Sequence, residues 1–240
     1  MIWPWKRNKF LLKRITNFNN IKVVQEKDGT NLLYLDKSSN IHSIYKKDML
    51  ATEAYWDDFC IAPPLLDEGK VAILGLGGGT TVYLYRKHWP DIFLDCWEID
   101  KTLVEVAKVY FGLSDEQKVK INVEDVFSGS FFNSSSYSLV IVDLFLSGKF
   151  VPELKDPLFW EKLKSKVAEG GRLMVNLSGK NKECSNICDL IKMKFGNLCI
   201  KKTKEGSNVL VMSGKIPNKE KWIKSLPECL KKRVEGWGIY

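Results

Sequence analysis

A chain of 240 residues that is 45% hydrophobic, 12% aromatic and 28% charged can bury the core of one domain, or of one domain with a small appendage, which excludes disordered, collagen-like and low-complexity classes. Its formal charge of +8 sits at the ends: residues 1–22 hold six basic groups and no acid, residues 201–240 hold ten against four, and the stretch between holds 21 against 25. Basic ends of this kind read as solvated faces, so nucleic acid is disfavoured as a partner.

In chain order, residues 1–20 form a basic segment without the long apolar run of a secretory signal, which fits a cytoplasmic protein and leaves an organelle-targeting leader open. Residues 21–62 read as a small β-rich subdomain with a connecting helix. Ile21–Gln25 and Asn31–Leu35 alternate around Asp28-Gly29, a strong local hairpin signal, and Ile41–Tyr45 follows. From residue 63 to 214 the pattern becomes strand then helix, repeated, the signature of an α/β unit with a parallel sheet. Val71–Leu74 is a strand, Thr80–His88 a helix, Phe93–Ile99 a strand and Lys101–Tyr110 a helix with Leu103, Val106, Ala107 and Tyr110 on one face. Lys120–Val123 and Leu139–Val142 are further strands. Trp160–Val167 and Ile187–Phe195 are helices flanking a strand at Arg172–Asn176, and Leu198–Thr203 with Asn208–Met212 forms a closing antiparallel hairpin through Lys204–Ser207. Residues 215–240 read as a C-terminal tail. Apolar runs such as Leu139–Val142 fall far short of the roughly 20 residues that span a bilayer.

The chemistry is expected at the strand ends. Gly75-Leu76-Gly77-Gly78-Gly79 follows one strand and opens a helix, where glycines let backbone approach a ligand. The spacing lacks the third glycine of a dinucleotide loop, Thr81 or Val82 standing near its place, and lacks the Gly-Lys-Ser/Thr ending of a P-loop. Glu98 ends the next strand about 20 residues on, placed to accept hydrogen bonds from ribose hydroxyls. Glu124-Asp125-Val126 closes the third strand and Asp143 the fourth. Gly, Glu, Asp and Asp at four successive strand ends converge on one crevice. The six cysteines include no Cys-x-x-Cys pair and the chain has two histidines, so no metal site is expected. Cys96, inside an apolar strand, reads as a small buried hydrophobe, and the cysteine usage suits a reducing compartment.

These residues resemble the class I methyltransferase fold that binds S-adenosylmethionine, and within it spermidine synthase and its relatives. Val71–His88 is similar to that family's glycine-rich strand-turn-helix, Glu98-Ile99-Asp100 to its Glu-Ile-Asp ribose motif, and Glu124-Asp125-Val126-Phe127 to its Gly-Asp-Gly-Phe adenine motif. Val140–Asp143 resembles the strand carrying its catalytic aspartate. Leu35-Asp36 and Tyr55 resemble parts of its small β-domain, and Trp222–Trp237 looks like the tail of plant spermidine-synthase-like proteins of undefined activity. The resemblance covers about residues 21–214. It implies a Rossmann-like class I methyltransferase sheet with a C-terminal antiparallel hairpin and a small N-terminal β subdomain. It implies S-adenosyl-L-methionine, or its decarboxylated form, as cofactor, held by Gly75, Gly77, Gly78, Gly79, Glu98, Ile99, Asp125 and Val126, with Asp143 as the catalytic residue.

Departures from the family set the expected activity. Gly78 stands where spermidine synthases have an aspartate that holds the aminopropyl amine, Leu146 where they have a second aspartate, and Trp56 where they have glutamine. A polyamine is a chain of ammonium groups, and lost carboxylates remove the partners that offset its desolvation. Methyl transfer to a small-molecule or amine acceptor is therefore expected ahead of aminopropyl transfer, with a noncatalytic nucleoside-binding protein as the further alternative. N–H groups of the glycine loop are expected to meet a carboxylate that the decarboxylated cofactor lacks. The acceptor and the oligomeric state, a homodimer included, are left open.

Overall fold

The computed structural model describes residues 8–114, 117–146, 149–178, 182–203, 208–215 and 218–240. The chain begins with β1 (Lys9–Ile15), β2 (Asn20–Gln25), β3 (Asn31–Tyr34) and β4 (Ser43–Tyr45), an antiparallel sheet in that order. A short α1 (Trp56–Phe59) leads to β5 (Val71–Leu74), α2 (Thr80–His88), β6 (Leu94–Glu98), α3 (Lys101–Tyr110), β7 (Val119–Val123), α4 (Ser130–Asn133) and β8 (Tyr137–Val142). A two-stranded hairpin, β9 (Phe145–Leu146) with β10 (Lys149–Phe150), precedes α5 (Pro157–Lys164), β11 (Val167–Ser178), α6 (Lys182–Phe195), β12 (Leu198–Lys202), β13 (Asn208–Ser213), α7 (Lys219–Lys224) and β14 (Gly238–Ile239).

The large sheet runs β14-β12-β13-β11-β8-β5-β6-β7. Strands β7, β6, β5, β8 and β11 are mutually parallel, and β13, β12 and β14 each pair antiparallel with their neighbour. Its central strands are apolar without alternation because both faces are covered. Ile73, Leu139 and Ile141 pack on one side with α1, α2 and the C-terminal Trp222, Leu230 and Trp237. Leu74, Val140 and Val142 pack on the other with α5 and α6 through Trp160, Leu163, Ile187 and Ile191. The small sheet docks separately, Ile21, Val23, Leu33 and Leu35 meeting Leu103, Val106 and Phe111 around α3.

The strands and helices expected between residues 71 and 143 lie within two residues of their expected ends, α4 being an unexpected single turn, and β2, β3 and Gly29 form the expected hairpin. Four readings change. The antiparallel sheet starts at Lys9, inside the basic segment set apart at residues 1–20, because β1 is an outer strand whose exposed basic side chains hide any alternation. Val167 opens a strand rather than closing a helix: it pairs with Tyr137, and the register shifts across the glycines before Arg172 resumes opposite Leu139. Ile99 lies just past β6 rather than in it. The tail is core rather than appendage, since Trp222 and Trp237 are buried and Gly238–Ile239 adds a strand beside β12. The Lys204–Ser207 turn lies outside the described residues.

Candidate functional site

Parallel β5, β6, β7, β8 and β11 bring their C-terminal ends to one edge of the sheet. After β5 the chain turns through Gly75–Gly79 into α2. Gly75 has φ of +88°, and a Cβ there would lie 2.2 Å from the carbonyl oxygen of Asp143. Only glycine lets the loop cross so close to the end of β8.

Glu98, at the end of β6, is 7% exposed. Its Oε2 accepts from the backbone N–H of Leu76 at 3.1 Å and of Gly77 at 3.3 Å, and its Oε1 accepts from Asp100 N–H at 3.0 Å. Burial raises its carboxyl above the usual carboxylate range, against these three hydrogen bonds, which stabilise the ionised form. A carboxylate has about four acceptor positions, so a further donor can be received at Oε1. That is the capacity a ribose hydroxyl needs.

The loop N–H groups are not free, contrary to the sequence expectation. Leu76 and Gly77 donate to Glu98, Gly78 donates to Ser43 Oγ at 2.7 Å, and Gly79 donates to the Leu76 carbonyl at 2.9 Å. The loop is turned toward the protein's own acceptors, and a ligand carboxylate would have to displace one of them. Ser43, at the start of β4, also fills the space beside Gly78, where a Cβ would come within 2.7 Å of the serine Cβ. An acidic side chain has no room at that position. Just beyond, Ile44 and Thr80 exchange hydrogen bonds of 3.0 Å in both directions, joining the small sheet to the start of α2.

At the end of β7, Asp125 Oδ1 accepts from Phe127 N–H at 2.9 Å and caps the short turn Val126–Ser128. Ile99 and Val123, at the ends of β6 and β7, are 39% and 48% exposed, apolar surface suited to a flat ring. Val126 is buried in the cluster with Trp97 and Phe131, so its side chain serves the core. Glu124 accepts from the hydroxyls of Ser128 and Ser130.

Asp143 follows β8 directly and keeps a partly exposed face. Tyr55 donates its hydroxyl to Oδ2 at 3.0 Å, and Asn176 donates its amide to Oδ1 at 2.9 Å. Burial pushes the carboxyl up to about 6, while the two hydrogen bonds hold it down. The same burial, with the aspartate charge beside it, raises the Tyr55 phenol well above its ordinary range. Tyr55 is thus a fixed donor and Asp143 is ionised near neutral pH. Asn176 in turn accepts from Asn208 at 2.7 Å, which orients its amide. Asn176 was missed as a site residue, although the signal was present: a lone amide interrupting the apolar run Leu173–Leu177, on the strand next to the one that Asp143 follows. Ser43 carries no such signal, because its role depends on how two sheets meet. Among the described residues no cluster of histidine, cysteine and acidic side chains is set to hold a metal ion.

No protein-family profile matches the chain. It is 24% identical over 190 residues to a probable polyamine aminopropyl transferase of Bifidobacterium longum, covering 76% of this chain and 41% of the relative. It is 29% identical over 127 residues to the mouse eEF1A lysine and N-terminal methyltransferase, covering 48% of this chain and 18% of the relative. The matched stretch is thus less than half the length of either relative. Among solved structures, a probable spermidine synthase from Corynebacterium glutamicum superposes with a TM-score of 0.72 at 15% identity, covering 96% of this chain and 95% of that one. Human methyltransferase-like protein 13 in complex with SAH superposes with a TM-score of 0.58 at 21% identity, covering 75% and 87%. The likeness to both establishes the fold.

Proposed function

We propose that this chain, spermidine synthase-like in its sequence and built on the class I S-adenosylmethionine-dependent methyltransferase fold, transfers a methyl group from S-adenosylmethionine to an amine held against Asp143. The observation that carries the reading is the Asp143 carboxylate, gripped by Tyr55 and Asn176 on a residue whose backbone carbonyl lies against the glycine loop at Gly75. The residues fit the cofactor's nucleoside: Glu98 has an acceptor position for ribose, Ile99 and Val123 offer apolar surface for the adenine ring, and Asp125 lies at the next strand end.

When bound, S-adenosylmethionine supplies a sulfonium whose methyl carbon is open to in-line displacement. The protein's part is to align the acceptor and manage its proton. Asp143 attracts the ammonium form of the amine and accepts a proton from it as base, which frees the nitrogen lone pair. Tyr55 and Asn176 keep the carboxylate oriented while its charge changes.

Methyl rather than aminopropyl transfer is supported by the missing carboxylates. Ser43 occupies the room beside Gly78, and Leu146, three residues past Asp143, is an exposed apolar side chain. Asp143 is then matched to one positive charge rather than to a chain of them. The second reading, aminopropyl transfer, is favoured by the alignment with the Bifidobacterium protein, which spans more of this chain than the alignment with the mouse methyltransferase.

Calorimetry with S-adenosylmethionine, its decarboxylated form and methylthioadenosine separates the readings. Tighter binding of the intact cofactor, followed by methyl transfer in a screen of small amines and lysine- or N-terminal-amine peptides, is expected. Tighter binding of the decarboxylated form with putrescine turnover would establish the second reading. Tight nucleoside binding with no turnover of any acceptor would leave a binding protein.

A further inference from the structure

We propose that Thr16 and Asn19, at the tip of the hairpin between β1 and β2, are positioning residues for nucleoside binding: they hold Asp100, and Asp100 holds Glu98 where it meets the ribose. The proposal rests on the ribose role of Glu98 given above.

Asp100 lies two residues past Glu98 and caps α3, its Oδ1 accepting from Thr102 N–H at 3.0 Å. Its Oδ2 accepts from the Thr16 hydroxyl at 2.6 Å and from the Asn19 amide at 2.8 Å. The side chain is 2% exposed, and these partners are all neutral. A buried carboxylate satisfied only by dipoles depends on each of them, since losing one leaves an oxygen desolvated without a donor. The same residue's N–H is the donor to Glu98 Oε1 at 3.0 Å. Any turn of Asp100 toward water therefore moves the peptide that holds the ribose acceptor.

The hairpin tip is built for this contact. Thr16 N–H donates to the Asn19 carbonyl at 2.9 Å, and Thr16 Oγ1 accepts from the N–H of Phe18 and Asn19 at 3.1 and 2.9 Å, which fixes the Thr16 side chain and the Asn19 backbone. The sheet does not need the latch in order to dock, because Ile21, Val23, Leu33 and Leu35 already bury against α3. The polar pair thus adds a connection from an appended sheet to one acid of the cleft.

The test is calorimetric binding of 5′-methylthioadenosine and of its 2′,3′-dideoxy analogue to the full chain, with thermal melting to confirm folding. Wild type should prefer the ribo compound. The Thr16→Val, Asn19→Ala double variant should bind the ribo compound about tenfold more weakly, the effect of one lost hydrogen bond to a charged group, and the dideoxy compound with unchanged affinity. Thr16→Ser, which keeps the hydroxyl, should bind as wild type. If the double variant fails to fold, Thr16→Val alone carries the same comparison. Equal weakening of both compounds would reduce the latch to a structural contact, and no weakening of either would refute it. Glu98→Gln separates the two readings. If it collapses the ribo preference while the latch variants keep it, the latch alone is wrong; if it keeps the preference, the ribose role of Glu98 falls and the proposal with it.

Discussion

Asp143 has both carboxylate oxygens engaged by neutral donors, and its carboxyl is pushed up to about 6. A base of that kind is ionised at pH 7 and protonated below pH 6, so the transferase rate should fall on the acid side with an apparent pKa near 6. Tyr55 stabilises the ionised form, so Tyr55→Phe should move that limb to higher pH; a limb unmoved in the variant's pH profile would argue that Asp143 is not the titrating base. Asp143→Asn should lose about 10²–10⁴ in rate if the residue is a general base. Nucleoside binding should persist, because ribose and adenine are assigned to other strand ends. Glu98→Gln should do the reverse, weakening methylthioadenosine by roughly 1–3 kcal/mol, the scale of a charge-assisted hydrogen bond. Unchanged affinity in a titration would remove Glu98 from the site.

At the scale of elements, Tyr55 is aimed by α1, a single turn of four residues that could not persist alone. The chain around it is held by donors from three directions. Tyr85 donates to the Phe59 carbonyl at 2.9 Å, the Trp89 indole to Cys60 at 2.9 Å and the Trp222 indole to Ile61 at 2.7 Å. Asp58, with no exposure, pairs with Lys201 of β12 at 2.7 Å and with Arg233 of the C-terminal segment. Removing Asp58 leaves two largely buried cations without their acid, so Asp58→Ala should lower unfolding free energy by about 3–5 kcal/mol in denaturant titration. Trp222→Ala should cost a similar 3–5 kcal/mol through the cavity it opens. A chain cut after residue 214 should fail to fold cooperatively, and a cooperative melt of that fragment would show the tail to be dispensable.

For the whole molecule, the raised carboxyl of Asp143 has a sign that can be measured. Its folded pKa of about 6 lies above the ordinary value of 3.8, so the folded state binds the proton more tightly and gains stability as pH falls through 6. Wild type should therefore gain about 1 kcal/mol between pH 7 and pH 5 relative to Asp143→Asn. Taking the difference between the two proteins cancels the surface carboxylates held by lysine, such as Asp91 beside Lys118, whose shifts have the opposite sign. Equal pH dependence in wild type and variant would mean that the carboxylate is solvated in solution. At the same scale, the small sheet touches both walls of the cleft, through Ser43 at Gly78 and through Thr16 and Asn19 at Asp100.

What could be read from the sequence was local. The period of the apolar residues located β5 through β8 and their helices, the Asp28-Gly29 pair located a hairpin, and strand-end chemistry singled out the glycine loop, Glu98, Asp125 and Asp143, because each of these signals lies within a short stretch of chain. Tertiary structure alone decided the rest. Val167 became a strand through its pairing with Tyr137, and the tail became core by burying Trp222 and Trp237 in a cluster that includes Ile61, 161 residues before Trp222 in sequence. It also decided that the loop N–H groups face Glu98 and Ser43 rather than a ligand, and that Asn176 and Tyr55 grip Asp143. The physical reason is the same in each case. A hydrogen bond or buried contact between distant segments depends on where the packed layers place its two ends, and no residue period or motif spacing records that position.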